Sequence, residues 1–266
     1  MKRLITGLLV AGGWLALLFF GSFSFFWLAI VLIGCLALHE YTTVVLGPDA
    51  SVAWLVGTLC GAVPLVAAVS SRGEVVAAAL PLSLLVLVVF VVLSYQHLAS
   101  PLAVLTRLGF GILYVGFCAA HLILLRGEPD GVKWLLLLTA ITVASDSFAY
   151  YSGRLLGKRK LCPAVSPGKT VAGFIGGLAG GILVAVVLAA YLFDHPRLPM
   201  LAVVAALLSC VGVMGDLCES VLKRSMGVKD SGAILPGHGG VLDRIDSLLL
   251  TAPLLYNLVH FGSLVA

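Results

Sequence analysis

Uncharged apolar runs, each about as long as a bilayer-crossing helix, follow one another along most of this chain and are separated by short polar breaks. A helix needs roughly 20 predominantly apolar residues to cross the hydrocarbon core. Residues 4–38 carry no charge and are too long for one span, so the pattern divides them near Gly21-Ser22 into two. Further spans are predicted at about 52–70, 75–94, 108–125, 134–152, 170–193, 199–220 and 247–265, which makes nine helices. Membrane strands would alternate polar and apolar residues over segments of ~10, whereas these runs are apolar on every face. The expected fold is all-α, a polytopic integral membrane protein with about nine transmembrane helices.

Composition agrees with the pattern. With 61% hydrophobic and 11% charged residues and a mean hydropathy of +1.15, the chain lies far outside soluble norms. Met1-Lys2-Arg3 ahead of an apolar run also fits a secretory signal, but no small-x-small cleavage site precedes the second run, so an uncleaved first helix is expected. The cysteines at 35, 60, 118, 162, 210 and 218 are scattered, with no C-x-x-C pair, and read as reduced packing residues.

Charge placement sets a sidedness. If Lys2 and Arg3 are inside, nine helices put twelve basic residues on the cytoplasmic side and four outside (Arg72, Arg126, Lys133, Arg197), as the positive-inside rule requires. Of the 28 Lys, Arg, Asp and Glu residues, seventeen lie between Asp146 and Asp246. Residues 1–130 therefore read as scaffold helices, and 131–266 as a transmembrane catalytic region with an active site at the cytoplasmic face. A compact chain without a long tail fits a bacterial inner membrane.

Basic loops can be explained by topology, but carboxylates cannot. An ionised side chain at membrane depth costs at least ~2.5–3.5 kcal/mol, so an intramembrane acid is a functional candidate by default. Asp146 and Asp216 are such residues, with Tyr150 and Arg154 following Asp146 by one and two helical turns. Packing of Asp146 against Arg154 is the bland alternative. Ser166-Pro167-Gly168-Lys169-Thr170 precedes an apolar helix; it is no P-loop, since Pro163 stands where the first glycine belongs. A lysine and hydroxyls at a helix start suit an anionic phosphate, or Ser166 or Thr170 is a plain N-cap. Gly173, Gly176, Gly177, Gly180 and Gly181 would let that helix approach a neighbour closely.

The most informative stretch is 215–247. On a helix Asp216, Ser220 and Lys223 share one stripe, and Asp243 and Asp246 share another face. Between them runs a loop rich in Gly and Pro that carries Lys229-Asp230 and His238-Gly239-Gly240. Converging acids need a cation, and hard oxygen ligands without a Cys or His cluster favour Mg²⁺, which takes one or two carboxylates together with substrate phosphates. A second cation is left open. The interleaved Lys223, Arg224, Lys229 and Arg244 make sense only for a polyanionic ligand, which points to phosphoryl or nucleotidyl transfer. The remaining histidines, at 39, 97, 121, 195 and 260, read as interfacial or packing residues.

In this stretch the sequence closely resembles the phosphatidate cytidylyltransferase family, whose signature appears here as Ser220, Lys223-Arg224, Lys229-Asp230, His238-Gly239-Gly240 and Asp243-Arg244-Ile245-Asp246. Asp146-x-x-x-Tyr150-x-x-Gly153-Arg154-x-x-Gly157-Lys158 and Ser166-Pro167-x-Lys169-Thr170 also look like family elements, so the resemblance covers about 146–250. The chain departs at Gly168, where the family often has a second lysine, and at Ala172, where it often has glutamate. The resemblance implies CTP and phosphatidic acid as substrates, Mg²⁺, a homodimer in membrane lipid, no nucleic acid, and a metal role for Asp216 and Asp243. The expected catalytic set is Asp216, Lys223, Asp243 and Asp246, with Asp216, Asp243 and Asp246 as metal ligands. The expected substrate contacts are Asp146, Tyr150, Ser166, Lys169, Thr170, Ser220, Arg224, Lys229, Asp230, His238, Gly239, Gly240 and Arg244. A CTP-dependent lipid kinase or a cytidylyltransferase for another anionic lipid would share this apparatus. An ion-coupled transporter would instead need acids at mid-membrane and repeat symmetry.

Overall fold

The structure, a computed structural model, describes residues 2–47, 50–234, 239–262 and 264. Among these residues the apolar runs form nine helices: α1 (Lys2–Phe20), α2 (Phe23–Leu46), α3 (Ser51–Ser70), α4 (Gly73–Leu93), α5 (Pro101–Gly127), α6 (Gly131–Leu156), α7 (Val171–Leu192), α8 (Leu198–Ser225) and α9 (Leu242–Phe261). Seven of them, α2 to α8, are long and apolar enough to cross a membrane. In α1 the apolar stretch is Thr6–Phe20, and α9 carries Asp243, Arg244 and Asp246 in its first turns. The chain is an integral membrane protein with multiple spans.

The break expected at Gly21-Ser22 is present. Helix α1 ends at Phe20, and the Ser22 side chain caps α2 by accepting the Phe25 N–H at 3.2 Å. Two helices outrun their uncharged stretches. Helix α2 continues past Leu38 through Glu40 to Leu46, and α5 starts at Pro101, ahead of Arg107. The charge on Arg107 is accommodated because its guanidinium donates to the Val45 carbonyl at 2.7 Å, while Tyr41 donates to the Arg107 carbonyl at 2.7 Å. Helix α5 also contains a π-helical segment, Ile112–Phe117.

The helices fall into two compact units: Met1–Gly127 with Ser225–Ile245, and Glu128–Arg224 with Asp246–Ala266. In the first, α2 packs on α3 and α3 on α4, around a cluster of Cys60, Leu87, Val91, Leu108 and Ile112. In the second, α6 and α7 make the most extensive helix contact, and the glycines of α7 explain it. A Cβ on Gly173 or Gly177 would lie 2.8 Å from a backbone oxygen of α6, at Ala149 and Ser145 respectively, so only glycine allows this approach. All six cysteines are free thiols.

The loop between α6 and α7 holds one feature that hydropathy does not signal. Lys160–Cys162 (β1) and Ser166–Thr170 (β2) form an antiparallel hairpin with Lys160 opposite Thr170 and Cys162 opposite Ser166. It ends on Thr170, whose hydroxyl accepts the Gly173 N–H at 3.0 Å and caps α7.

Candidate active site

In the second unit, β2, α8 and the start of α9 bring acids and lysines together. The Lys169 ammonium lies 2.7 Å from Asp216 Oδ2, with the two side chains 22% and 35% exposed. Ser220, one turn on, donates to Asp216 Oδ1 at 3.3 Å. Lys223, on the same stripe, sits 3.2 Å from Glu219 Oε2, and this second pair is more deeply placed at 14% and 2% exposure. Asp246 lies beside Glu219 and within electrostatic reach of Asp216, and it accepts both the N–H and the hydroxyl of Ser247. Glu219 joins the site without having been assigned a role from sequence. Its signal was available, since an acid four residues before a lysine on a helix pairs with it.

Gly215 allows this meeting of α8 and α9. A Cβ there would lie 2.6 Å from the Asp246 carbonyl oxygen, which is backbone and cannot swing aside. Gly215→Ala should therefore push the helices apart and cost about 1–3 kcal/mol. The check is a lowered melting temperature in detergent together with lost activity.

Asp146 lines a cavity of about 10 Å³ with Thr142, Ser145, Ser209, Gly212 and Ser247, close to the space of one water. Ser209 Oγ is buried there without a hydrogen-bond partner in the protein. Tyr150 and Arg154 are exposed on α6 and bond each other at 3.3 Å. Ser166 is half-buried in β2, and Arg224 is exposed at the end of α8. The Thr170 hydroxyl serves as the helix cap that the sequence left open.

The first unit holds the rest of the signature. Asp243 Oδ2 accepts the N–H of Ser231 at 3.0 Å and of Gly240 at 2.7 Å. Gly239 adopts φ +80°, a conformation that favours glycine, and a Cβ there would also strike Asp243. Lys229, Asp230 and Arg244 are exposed. His238 lies outside the described residues. His121 bonds the Phe117 carbonyl and His260 pairs with Glu128, both at 2.8 Å, which are packing roles.

Among the described residues, no three Asp, Glu, His or Cys side chains close around one point as a full metal cage would. The arrangement fits a different donor set. Asp246 and Glu219 bring two carboxyls side by side, with Asp216 within electrostatic reach. Against these three acids stand two lysines, Lys169 and Lys223. Such a site suits a hard divalent cation that takes one or two carboxylates and fills its remaining positions with phosphate oxygens and water.

Helices of membrane-crossing length, with carboxylates and ammoniums brought together at β2, α8 and α9, define a polytopic membrane protein. The chain belongs to the cytidylyltransferase family, whose profile matches residues 1–262. It is 49% identical over 161 residues to a phosphatidate cytidylyltransferase of Brucella abortus biovar 1 (strain 9-941), covering 59% of this chain and 57% of that protein. To the phosphatidate cytidylyltransferase of Staphylococcus epidermidis (strain ATCC 35984) it is 43% identical over 169 residues, 62% of this chain and 64% of that one. To that of Bacillus subtilis (strain 168) it is 42% identical over 183 residues, 66% of each chain. The chain thus spans between about half and two thirds of the length of the curated relatives it matches.

Proposed function

We propose that this chain is a phosphatidate cytidylyltransferase, joining CTP to phosphatidic acid to form CDP-diacylglycerol and pyrophosphate. The observation that carries the reading is the pairing of Lys169 with Asp216 and of Lys223 with Glu219, beside Asp246, in a member of the cytidylyltransferase family.

The chemistry follows from charge. A phosphate monoester has its second pKa near ~6, so phosphatidate reaches the site largely as a dianion and needs no general base. One of its oxygens forms a bond to the α-phosphorus of CTP. The bond from that phosphorus to the oxygen bridging to the β-phosphate breaks, and pyrophosphate leaves with the electron pair. The barrier is mutual repulsion of anions, so catalysis consists of positioning and neutralisation. Lys169 and Lys223 are placed to meet phosphate oxygens, and Ser220 and Ser247 hold the acids in orientation. Asp216 and Asp246 would hold Mg²⁺, which supplies neutralisation of nucleotide phosphate charge when bound. Asp243, whose Oδ2 serves two backbone N–H groups, is the further acid for which the family resemblance implies a metal role. Purified protein with CTP and Mg²⁺ should release pyrophosphate only when phosphatidate is added, in equal amount to the liponucleotide formed. A lipid that gains one phosphate would instead identify a kinase.

The same reading places the site on the cytoplasmic face of a bacterial inner membrane, where CTP is made, and has the enzyme work as a homodimer. Ala233 is exposed on the signature loop, so Ala233→Cys should react with an impermeant thiol reagent only from the cytoplasmic face of sealed, oriented vesicles. Labelling from the opposite face would overturn the sidedness.

A further inference from the structure

Glu40 is a carboxylate in the last two turns of an apolar helix, only 4% exposed, and the chemistry above gives it nothing to do. Burial on that scale is tolerated only where the charge is well supplied with donors, and Glu40 is. Its Oε1 accepts the Val241 N–H at 3.0 Å, and its Oε2 accepts the Leu242 N–H at 2.9 Å and the Ser231 hydroxyl at 3.2 Å. All three donors belong to the signature loop, which is about 190 to 200 residues away in sequence. Gly232 and Gly240 leave room for the carboxylate: a Cβ on Gly232 would lie 2.5 Å from Oε1, and one on Gly240 would collide with Oε2.

The bonds tie the two ends of the loop to each other. Ser231 stands at one end and Gly240, Val241 and Leu242 at the other. Asp243 ties the same ends from its own side, through the N–H groups of Ser231 and Gly240. The N–H groups of Val241 and Leu242 are among those that the start of α9 leaves without helical partners. Glu40 therefore also neutralises that helix end, which is then not free to attract a phosphate.

We infer that Glu40 is a positioning residue, whose carboxylate holds Ser231 at one end of the signature loop and Val241-Leu242 at the other in the arrangement that binds substrate. The inference rests on the reading that this loop, with Gly239, Gly240 and Arg244, meets a substrate phosphate. If the loop is competent for only a fraction of the time, apparent affinity falls by that fraction, and saturating substrate restores the competent form. The effect of losing Glu40 should therefore fall on KM more than on kcat.

The test is Glu40→Gln, which keeps the shape but turns an amide N–H₂ toward a backbone donor. The expected result is a tenfold or greater rise in the KM of CTP or of phosphatidate, with kcat at saturation within threefold of the parent. Hydrogen exchange at the Val241 and Leu242 amides should accelerate at least tenfold. Unchanged exchange at those amides, or a fall in kcat with both KM values unchanged, overturns the inference. Should Glu40→Gln fail to insert, Ser231→Ala removes one donor and should raise the same KM by two- to fivefold; no change in KM would overturn it equally. Wild-type protein that makes no liponucleotide refutes the reaction instead, and amide exchange still judges the clasp.

Discussion

Asp216→Asn is expected to lower kcat by about 10³-fold at saturating CTP, the order by which loss of a preorganised electrostatic contact slows an enzyme. The substitution keeps size and shape, so the helix contact permitted by Gly215 remains and the protein should still insert and stay monodisperse. What changes is charge. Asp216 is the partner of Lys169 at 2.7 Å and the acceptor for Ser220, and with asparagine the lysine loses its counter-ion while the proposed cation loses a ligand. Because both effects act on charge that is reorganised during the reaction, excess substrate should not restore the rate. Single-turnover kinetics separates this from a binding defect, and near-parental kcat would remove Asp216 from the site.

Lys223→Gln should be the second severe change, and Lys160→Gln the control that gives it meaning. The Lys223 ammonium sits on Glu219, a carboxylate with 2% side-chain exposure. Removing one partner of a buried pair strands the other, at a cost of about 3–5 kcal/mol. Both stability in detergent and kcat/KM should fall, the latter by about 10² or more if the lysine also meets phosphate. Lys223→Arg keeps the charge and should recover the stability and part of the rate. Lys160 is exposed in β1, where a solvated charge contributes roughly 0–1 kcal/mol, so its loss should cost less than about fivefold. Equal, small losses for both variants would mean that the lysines serve topology alone.

The helices were legible because bilayer crossing is a demand on length and polarity that the sequence states openly. Even the short break at Gly21-Ser22 is present, and Ser22 supplies the cap. The predicted spans fall short of the helices where a charge interrupts an apolar run, at Glu40 near the end of α2 and at Arg107 near the start of α5. Each of those charges is satisfied by partners distant in sequence, 201 residues for Glu40 with Val241 and 62 for Arg107 with Val45, and nothing local announces such a partner. The hairpin at 160–170 is not legible for a related reason, since its register comes from backbone pairing across the Pro163-Ala164-Val165 turn rather than from alternation. In the site, the Asp216–Ser220–Lys223 stripe followed from helical periodicity alone. That periodicity could not say that Lys223 would take Glu219 and leave Asp216 to Lys169, because the choice depends on where β2 delivers its lysine.

The most direct measurement follows two labels in one reaction. Purified protein is given phosphatidate, Mg²⁺ and CTP labelled at either the α- or the γ-phosphate, and the lipid and aqueous products are separated. Transfer of a cytidylyl group predicts α-label in the lipid and γ-label in pyrophosphate, with Asp216→Asn abolishing both. Label from the γ-phosphate in the lipid, or none in either product, would contradict the account.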